Sequence, residues 1–557
     1  MTGTDRDRAD PAASVAFTHR EILSILSGLM LGMFLAALDQ TVVATAIRTI
    51  ADDLNGYALQ AWVTTAYLVT ATITTPLYGK LSDIYGRRRL YLTAISVFLL
   101  GSLLCSFATS VYMLAAFRAI QGIGAGGLMS LALAILGDIL APRERAKYQA
   151  YFLAVFGVSS VLGPVLGGFF AGTGSLLGIT GWRWVFLVNV PVGVLALVVV
   201  ARNLRLPAQR RAIRIDWWGA LALVVAVVPL LVVAEQGREW GWGSGPAVSC
   251  YLVGGVGVAV FVAVEIGMKD AALIPMRFFR NRTFALGVLI SLLVGTAMFG
   301  GISLLPQYLQ VVRGSSPTVA GLQMIPMVLG IMTGSVFSGQ LIARTGHYRI
   351  YPIIGSAMLT VGMFLLHTIA TDTALPLVMA YMAILGFGLG NLLQPITLAL
   401  QNALPPQDMG VSTAAATFFR QIGGTLGVAV FLSILFARVT SAIAERLAAA
   451  AADPGFRSAL TAATRGGDPV DASFARGVLE RDPGALESVL GDSSIVQRLN
   501  PVLARPLADG FADAMDTVFL VTSVVGVVTV VLVLLWREVP LRPDSGLAAA
   551  RATDTGN

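Results

Sequence analysis

The sequence predicts an all-α polytopic membrane protein with about fourteen membrane-spanning helices. Of its 557 residues, 56% are hydrophobic and only 12% are charged, and the mean hydropathy is +0.77. This balance lies outside the range of soluble domains. The apolar residues also fall in runs of the ~20 residues that a helix needs to cross a ~30 Å hydrocarbon core. Lipid is therefore the expected solvent.

The predicted spans are joined mostly by short loops. They begin near residues 22, 59, 90, 111, 148, 183, 216, 246, 284, 318, 350, 374, 410 and 516. Loops on the side of the N-terminus hold most of the Arg and Lys of the short loops, whereas the short opposite loops hold only Arg48, Arg183, Arg238 and Arg313. The positive-inside rule predicts that the first side is cytoplasmic and that both termini lie there. The expected location is the cell (inner) membrane.

Several function classes find no support in the residues. Cys105 and Cys250 lie inside apolar runs, and His19, His347 and His367 are too scattered for a metal site. The chain has no Gly-x-x-x-x-Gly-Lys-Ser/Thr sequence and no nucleophile and base at workable spacing, so neither an ATPase nor another enzyme is predicted. The basic residues form no continuous patch with interleaved aromatic residues, so no nucleic-acid partner is expected.

The loop after the second predicted span has a specific pattern, residues 79–89, GKLSDIYGRRR. It resembles the signature loop of the major facilitator superfamily, whose form is Gly, x, Leu, x, Asp, three variable positions and then basic residues. The resemblance implies a conformational latch on the cytoplasmic side. The residues that would form it are Gly79, Asp83, Gly86, Arg87 and Arg88.

A degraded copy of this loop occurs in the second half of the chain, at residues 339–349, with Ala343 where the first copy has Asp83. Internal repeats are frequent in transporters, and the resemblance implies two pseudo-symmetric six-helix bundles around a central cavity. Two spans are then left over. The predicted organisation is a cytoplasmic tail (1–21), a first bundle (22–201), two extra linker helices with cytoplasmic loops (202–283), a second bundle (284–537) that includes an extracytoplasmic loop (438–515), and a cytoplasmic tail (538–557).

The surplus pair of spans matches the fourteen-span drug:proton antiporter branch of the superfamily. Four further segments resemble that branch: residues 38–43, 62–68, 182–193 and 420–424. Residues 118–127 are similar to the family's span-four motif, with Gln121 and Gly122 following Arg118. The overlapping Gly-x-Gly-x-x-Gly pattern has no strand before it and is not interpreted as a dinucleotide site.

Small residues and a proline lie inside the fifth predicted span, where they permit close helix contact and a kink. This run is similar to the antiporter signature of the family, which is associated with exporters, so the resemblance implies efflux. Ordinary small-residue packing is the alternative. The motif positions are Gly157, Gly163, Pro164, Gly167 and Gly168.

Asp39 and Arg118 are the outstanding charges inside the predicted spans. At ~1.5 Å per residue, Asp39 lies ~26 Å from the cytoplasmic start of its span, and Arg118 lies ~10 Å from the outer start of span four. Both are thus in the outer third and can meet. Burial disfavours an ionised carboxyl and a nearby guanidinium favours it, so small movements could load and release a proton. The alternatives are a permanent structural salt bridge or a helix cap by Asp39.

Substrate contacts are expected from polar or aromatic residues of the second half, namely Gln307, Tyr308, Asn391, Gln394 and Arg420, although each could instead satisfy a neighbouring helix. The predicted function is efflux of lipophilic or amphipathic small molecules, driven by the proton gradient without a cofactor or metal. The alternatives are an exporter of one endogenous metabolite, antibiotic or lipid, and a non-transporting receptor or scaffold. Residues 438–515 should contain one or two short amphipathic helices and could bind an extracytoplasmic partner.

Overall fold

Helices make up almost all of the described residues, because a bilayer offers backbone N–H and C=O groups no partners except one another. The computed structural model describes residues 19–54, 60–204, 216–405, 408–466, 468–480 and 495–542, so most of the two predicted tails, 1–21 and 538–557, lies outside the described residues. The helices are α1 His19–Asp53, α2 Gln60–Tyr85, α3 Arg87–Ser106, α4 Val111–Ile139, α5 Pro142–Gly172, α6 Trp184–Leu187, α7 Asn189–Asn203, α8 Trp217–Trp240, α9 Gly245–Met268, α10 Arg282–Gln307, α11 Pro317–Gln323, α12 Ile325–Thr345, α13 Ile350–His367, α14 Leu375–Ala403, α15 Met409–Ala450, α16 Pro454–Arg465, α17 Pro469–Glu480, α18 Ile495–Arg498 and α19 Pro501–Leu535.

Short elements complete the chain. Strands β1 (Ser175–Leu176) and β2 (Ile179–Thr180) form an antiparallel hairpin, with Ser175 opposite Thr180. Both turn residues between the strands have positive φ, as a tight two-residue hairpin requires. A π-helical turn at Tyr308–Val312 extends α10. Single 3₁₀ turns occupy Gly181–Arg183, Lys269–Ala271 and Met276–Arg280.

Thirteen helical segments of the described chain are long and apolar enough to cross a membrane. Helix α2 is not among them, although its 26 residues are long enough. Six threonines make it more polar, but the hydroxyls of Thr70, Thr74 and Thr75 donate to carbonyl oxygens one turn earlier. These bonds reduce the cost of placing the hydroxyls in an apolar medium. With α2 included, the fourteen predicted spans are present and the predicted fold class is confirmed.

Two six-helix bundles form the body of the protein. In the first, α4 packs against α2 and α3, while α1 packs against α5 and α7. In the second, α14 packs against α12 and α13, α15 packs against α10, and α19 packs against α13 and α15. The bundles meet where α5 contacts α12 and where α2 and α4 contact α15.

Helices α8 and α9 are the pair outside both bundles. They contact closely because Gly257 of α9 has no side chain. A Cβ there would lie 2.6 Å from the backbone nitrogen of Ala226. Helix α8 packs on α2 and α15, at the junction of the bundles. Helix α9 exposes apolar side chains such as Leu252 and Val256, as expected for a lipid-facing surface.

The last two bundle helices are longer than the sequence indicated. The span predicted to end near residue 437 continues to Ala450, and the span predicted to begin near 516 begins at Pro501. At ~1.5 Å per residue, α15 is about 63 Å long, twice the hydrocarbon thickness. The extension pairs with α19 through Arg446, whose guanidinium donates to Asp513 at 2.6 and 2.8 Å. Residues 438–515 thus contain α16–α18 and parts of two long helices, with 481–494 outside the described residues.

Candidate functional site

A carboxylate lies deep inside the first bundle. Asp39 of α1 has none of its surface exposed. Its Oδ2 lies 2.5 Å from Nη1 of Arg118 on α4, and its Oδ1 accepts hydrogen bonds from Nε2 of Gln121 and Nδ2 of Asn189, both at 2.8 Å. The structure therefore brings together three residues singled out in the sequence and adds Asn189 from α7.

The guanidinium of Arg118 is equally buried and has further partners. It donates to Oε1 of Gln121 (2.8 Å) and to the carbonyl oxygen of Val63 (3.4 Å), and its Cζ lies 4.0 Å from the ring centre of Tyr67. A cation over an aromatic face is stabilised by the ring quadrupole, most strongly where water is excluded. We refer to this cluster as the Asp39 network: Asp39, Tyr67, Arg118, Gln121 and Asn189.

The Asp39 network has two protonation states with different consequences for packing. Ionised Asp39 accepts from three donors. Protonation turns one of its oxygens into a donor and removes its charge, so the ionic contact with Arg118 is lost. A buried guanidinium without a counter-charge is costly. Binding a proton therefore favours a different arrangement of α1 and α4 or the entry of water.

Asn189 lies in residues 182–193, one of the segments that resemble the antiporter branch, but the sequence does not assign it to the site. Its Nδ2 also lies 3.0 Å from the hydroxyl oxygen of Ser102, which donates to the carbonyl oxygen of Phe186. Asn189 is fully buried in the membrane-spanning part of the chain. An amide inside an apolar run was the signal that could have identified it.

Glycine at position 122 sets the distance between α4 and α2. A Cβ there would overlap with the carbonyl oxygen of Tyr67 and the hydroxyl of Thr70. Only glycine permits this approach, which keeps the ring of Tyr67 beside Arg118.

The α5 motif packs against the helix that carries Asp39. Gly163 has no space for a side chain because Thr41 lies against it, and Gly167 is in the same position against Thr45 and Val42. Helix α5 is therefore in direct contact with α1 near Asp39.

The other motif residues of α5 have different surroundings. Gly157 faces Val328 of α12 in the second bundle, and Pro164 lies 3.7 Å from the position of a Cβ on Gly321. Gly168 is different, since a Cβ there would have no neighbour within 4 Å. Gly168 therefore takes no part in the close helix contact expected of the motif.

The latch motif forms a charged cluster at the end of α2. Nη1 of Arg87 lies 2.6 Å from Oδ1 of Asp83, and its Nε lies 2.7 Å from Oδ2 of Asp138 at the end of α4. Asp138 was not identified from the sequence. The cluster ties α2, α3 and α4 together.

Gly86 and Arg88 complete the latch motif. Gly86 has φ 93°, which favours glycine, and it joins α2 to α3. Arg88 donates to the carbonyl oxygen of Ala201 at 2.6 Å, so it connects α3 with the end of α7.

The latch cluster touches the second bundle. A Cβ on Gly79 would lie 2.5 Å from Cβ of Ala414 and 2.9 Å from the carbonyl oxygen of Gly410. A Cβ on Gly410 would in turn overlap with Asp83 and Arg87. The two bundles are therefore in direct contact on the predicted cytoplasmic side.

Arg145, near the start of α5, forms a second connection on that side. Its Nη1 donates to Oε1 of Gln401 on α14 (2.6 Å), and its Nη2 donates to the carbonyl oxygens of Gly137 (2.7 Å) and Leu140 (2.9 Å). Burial lowers the pKa of Arg145 to about 10, so the side chain stays charged at neutral pH. Together with the latch contacts, this bond joins the two bundles on the predicted cytoplasmic side.

The repeated loop in the second half obtains a carboxylate from elsewhere in the chain. Ala343 cannot supply one, but Oε1 of Glu538 accepts from the backbone nitrogens of Tyr348 (2.7 Å) and Arg349 (3.4 Å). The acid that Asp83 provides locally in the first copy thus comes from beyond α19 in the second.

Two of the expected substrate contacts, Tyr308 and Asn391, form hydrogen bonds within the second bundle. Tyr308 is fully buried, and its hydroxyl donates to the carbonyl oxygen of Ala370 at 3.0 Å. Asn391 is also fully buried, and its Nδ2 donates to the carbonyl oxygen of Phe387 one turn earlier. Both side chains bond to backbone in this arrangement of the helices, and a role in substrate contact stays a prediction.

The remaining expected contacts differ in exposure. Gln394 is 7% exposed and already interacts with a neighbour. Gln307 lies partly buried at the end of α10, and Arg420 lies partly buried within α15.

Comparison with known proteins decides the family. A family model described as Major Facilitator Superfamily matches residues 29–428, which include helices of both bundles. The chain belongs to the major facilitator superfamily. Multidrug transporter protein MdtP of Bacillus subtilis (strain 168) is 34% identical over 522 residues, 91% of this chain and 92% of that protein. Multidrug resistance protein 3 of the same organism is 37% identical over 408 residues, 73% of this chain and 78% of that protein.

Solved structures agree at the level of the fold. The proton:xylose symporter XylE bound to 6-bromo-6-deoxy-D-glucose matches with a TM-score of 0.55 at 16% identity, over 96% of this chain and 100% of that chain. A bacterial homolog to human lysosomal transporter Spinster, inward-facing and unoccupied, matches with a TM-score of 0.54 at 16% identity, over 94% of this chain and 100% of that chain. This superfamily member is therefore a multi-pass membrane transporter and not an enzyme, as the sequence predicted.

Proposed function

We propose that the protein exports lipophilic or amphipathic small molecules across the cell (inner) membrane in exchange for protons. One observation carries this proposal: Asp39 is completely buried within a membrane span, 2.5 Å from Arg118. Ionisable groups at that depth are costly and are retained where they move ions or protons. Similarity to MdtP and to Multidrug resistance protein 3, both named for multidrug transport or resistance, supports export and a broad substrate range.

In the proposed cycle, substrate enters from the cytoplasm or inner leaflet and Asp39 takes a proton from the outside. Loss of the ionic contact with Arg118 then favours a shift of α1. Because Gly163 of α5 packs directly on α1 and Gly157 packs on α12, the shift reaches the contact between the bundles. The two bundles rock about this contact, which gives alternating access.

The latch cluster and Arg145 would hold the cytoplasmic side closed while the substrate site is open to the outside. Opening toward the cytoplasm requires that Gly410 separate from Asp83 and Arg87, and that the 2.6 Å bond between Arg145 and Gln401 break. Both termini would lie on this side.

The test is efflux from whole cells and uptake into inverted vesicles, using a panel of cationic, neutral and anionic fluorescent amphiphiles. We expect proton-driven transport by the wild type and its loss in Asp39→Asn, because the amide cannot take up the proton. The matched control is Asp53→Asn, which changes an exposed acid at the end of the same helix that accepts from Trp182 Nε1 at 2.7 Å. Transport by Asp39→Asn at the wild-type rate and with the wild-type response to the proton gradient would refute the proposal.

The number of unrelated amphiphiles that the wild type transports distinguishes the remaining alternatives. Transport of several unrelated amphiphiles supports the multidrug function, whereas a response to one compound indicates an exporter of a single metabolite, antibiotic or lipid. Binding without transport by the wild type would indicate a receptor with a transporter fold.

A further inference from the structure

Arg420 is a cation inside the membrane-spanning part of the second bundle. It lies eleven residues after Met409, the first residue of α15, which corresponds to a depth of about 16 Å at ~1.5 Å per residue. This position is near the middle of a ~30 Å hydrocarbon core. An arginine there is costly unless it has a counter-charge or reaches water.

No counter-charge for Arg420 exists among the residues that the structure describes. Its side chain has neither an ion pair nor a hydrogen bond there. Helices α10 and α14, which pack on α15, contain no Asp or Glu, and the first acid of α15 is Glu445, 25 residues later. Among the acids on other helices packed against α15, Asp83 and Asp138 pair with Arg87, and Asp513 pairs with Arg446. Arg118, by contrast, forms an ion pair with Asp39 at 2.5 Å.

The contacts of neighbouring residues show on which face of α15 Arg420 lies. Gly424 and Gly427 face α10, where an added Cβ would lie 2.5 Å from the ring of Phe299 and 2.6 Å from the carbonyl oxygen of Thr296. Gln421 faces the other bundle, where its Oε1 accepts from Thr75 of α2 at 3.3 Å. Since residues i and i+4 share a helix face, Arg420 lies where α10 and the opposite bundle come together. The side chain is only partly buried there.

We propose that Arg420 is the binding site for an oxyanion headgroup on the transported molecule, so that the preferred substrates are anionic amphiphiles. This inference rests on the proposed export function and specifies its substrate class. Asp39 and Arg118 neutralise each other, whereas Arg420 adds a positive charge without an ion pair where α10 meets the first bundle. A carboxylate would cancel it and form a two-pronged hydrogen bond with the guanidinium. A cationic amphiphile would be repelled.

The test uses three probes that share one apolar body and differ only in the headgroup: a carboxylate, its carboxamide and the corresponding amine. Dissociation constants are measured with the purified full chain, and export is measured in proteoliposomes. We expect the wild type to bind the carboxylate at least about tenfold more tightly than the carboxamide, the effect of pairing a desolvated charge. Arg420→Gln should abolish this difference and leave carboxamide binding unchanged.

Two further variants separate charge from structure. Arg420→Lys keeps the charge and should keep part of the preference, and Arg420→Glu should favour the amine. Arg438→Gln is the matched control, because Arg438 is on the same helix, is exposed and pairs with Glu445 at 3.7 Å. Equal binding of carboxylate and carboxamide by the wild type, or equal loss of both in Arg420→Gln, overturns the inference. Selective carboxylate binding without proton-driven export would overturn the proposed function and leave the site assignment standing.

Discussion

Asn189 supplies one of the three donors to the carboxylate of Asp39. A hydrogen bond to a charged group contributes about 1.5–3 kcal/mol. Removal of this donor in Asn189→Ala leaves Gln121 as the donor to Oδ1 of Asp39, so the carboxylate is held less firmly beside Arg118. We expect slower proton-driven efflux than in the wild type, measured in vesicles at one fixed pH gradient.

The control for this prediction is Asn203→Ala at the other end of α7, where the amide donates to the carbonyl oxygen of Ser24 at 3.4 Å. Its efflux rate should match that of the wild type. An unchanged efflux rate in Asn189→Ala would contradict a role for Asn189 in holding the carboxylate.

Residues differ in how far the sequence reveals their roles. Asp39 and Arg118 could be found because a charge in an apolar run is costly, and counting along two helices placed both at one depth. Asn189 and Asp138 could not be assigned, since helix rotation is unknown and a polar group near a helix end can bond to water or backbone. For Tyr308 the sequence could not show that its hydroxyl has a carbonyl partner in the loop after α13.

Packing of α4 against α2 should depend on the absence of a side chain at position 122. In Gly122→Ala the new methyl group meets the carbonyl oxygen of Tyr67, which is backbone and cannot move aside. Overpacking of this kind destabilises by about 1–3 kcal/mol. We expect a lower midpoint of thermal unfolding in detergent, followed by tryptophan fluorescence, together with reduced transport.

Gly168→Ala is the matched variant, because it makes the same change in another membrane helix at a position with no neighbour within 4 Å. It should leave the unfolding midpoint unchanged or raise it slightly, since alanine favours helix by up to ~1 kcal/mol over glycine. If both variants lower the midpoint equally, the loss cannot be assigned to the contact between α4 and α2.

For the helices, the sequence predicted the number and order of spans better than their ends. Apolar runs reveal a span because the hydrocarbon core requires them, and α2 was found even though its threonines make it more polar. The ends of α15 and α19 were misplaced because helix formation does not stop at the membrane surface. Residues 438–450 are rich in alanine and leucine, which favour continued helix, and the pairing of Arg446 with Asp513 stabilises the extension.

For the whole molecule, the proposed transport cycle depends on charges in both bundles. The first bundle holds a neutral pair, Asp39 and Arg118, and the second holds Arg420, which has no ion pair among the described residues. If Asp39 carries the only proton, one positive charge enters per cycle. Export of a monovalent cation is then electroneutral, export of a neutral molecule moves one charge, and export of a monovalent anion moves two. The substrate's charge thereby sets the electrical driving force.

Two probes of different charge should therefore respond differently to the membrane potential. One elementary charge crossing the membrane corresponds to ~2.3 kcal/mol per 100 mV, so exchange of one proton for one carboxylate should gain about 4.6 kcal/mol per 100 mV. At constant pH gradient, the logarithm of the steady-state concentration ratio of the carboxylate probe should change with imposed potential twice as steeply as that of its carboxamide. Proteoliposomes with potassium diffusion potentials provide the measurement. Equal slopes for the two probes would show that the number of protons changes with the substrate, and Asp39 would then not be the only carrier.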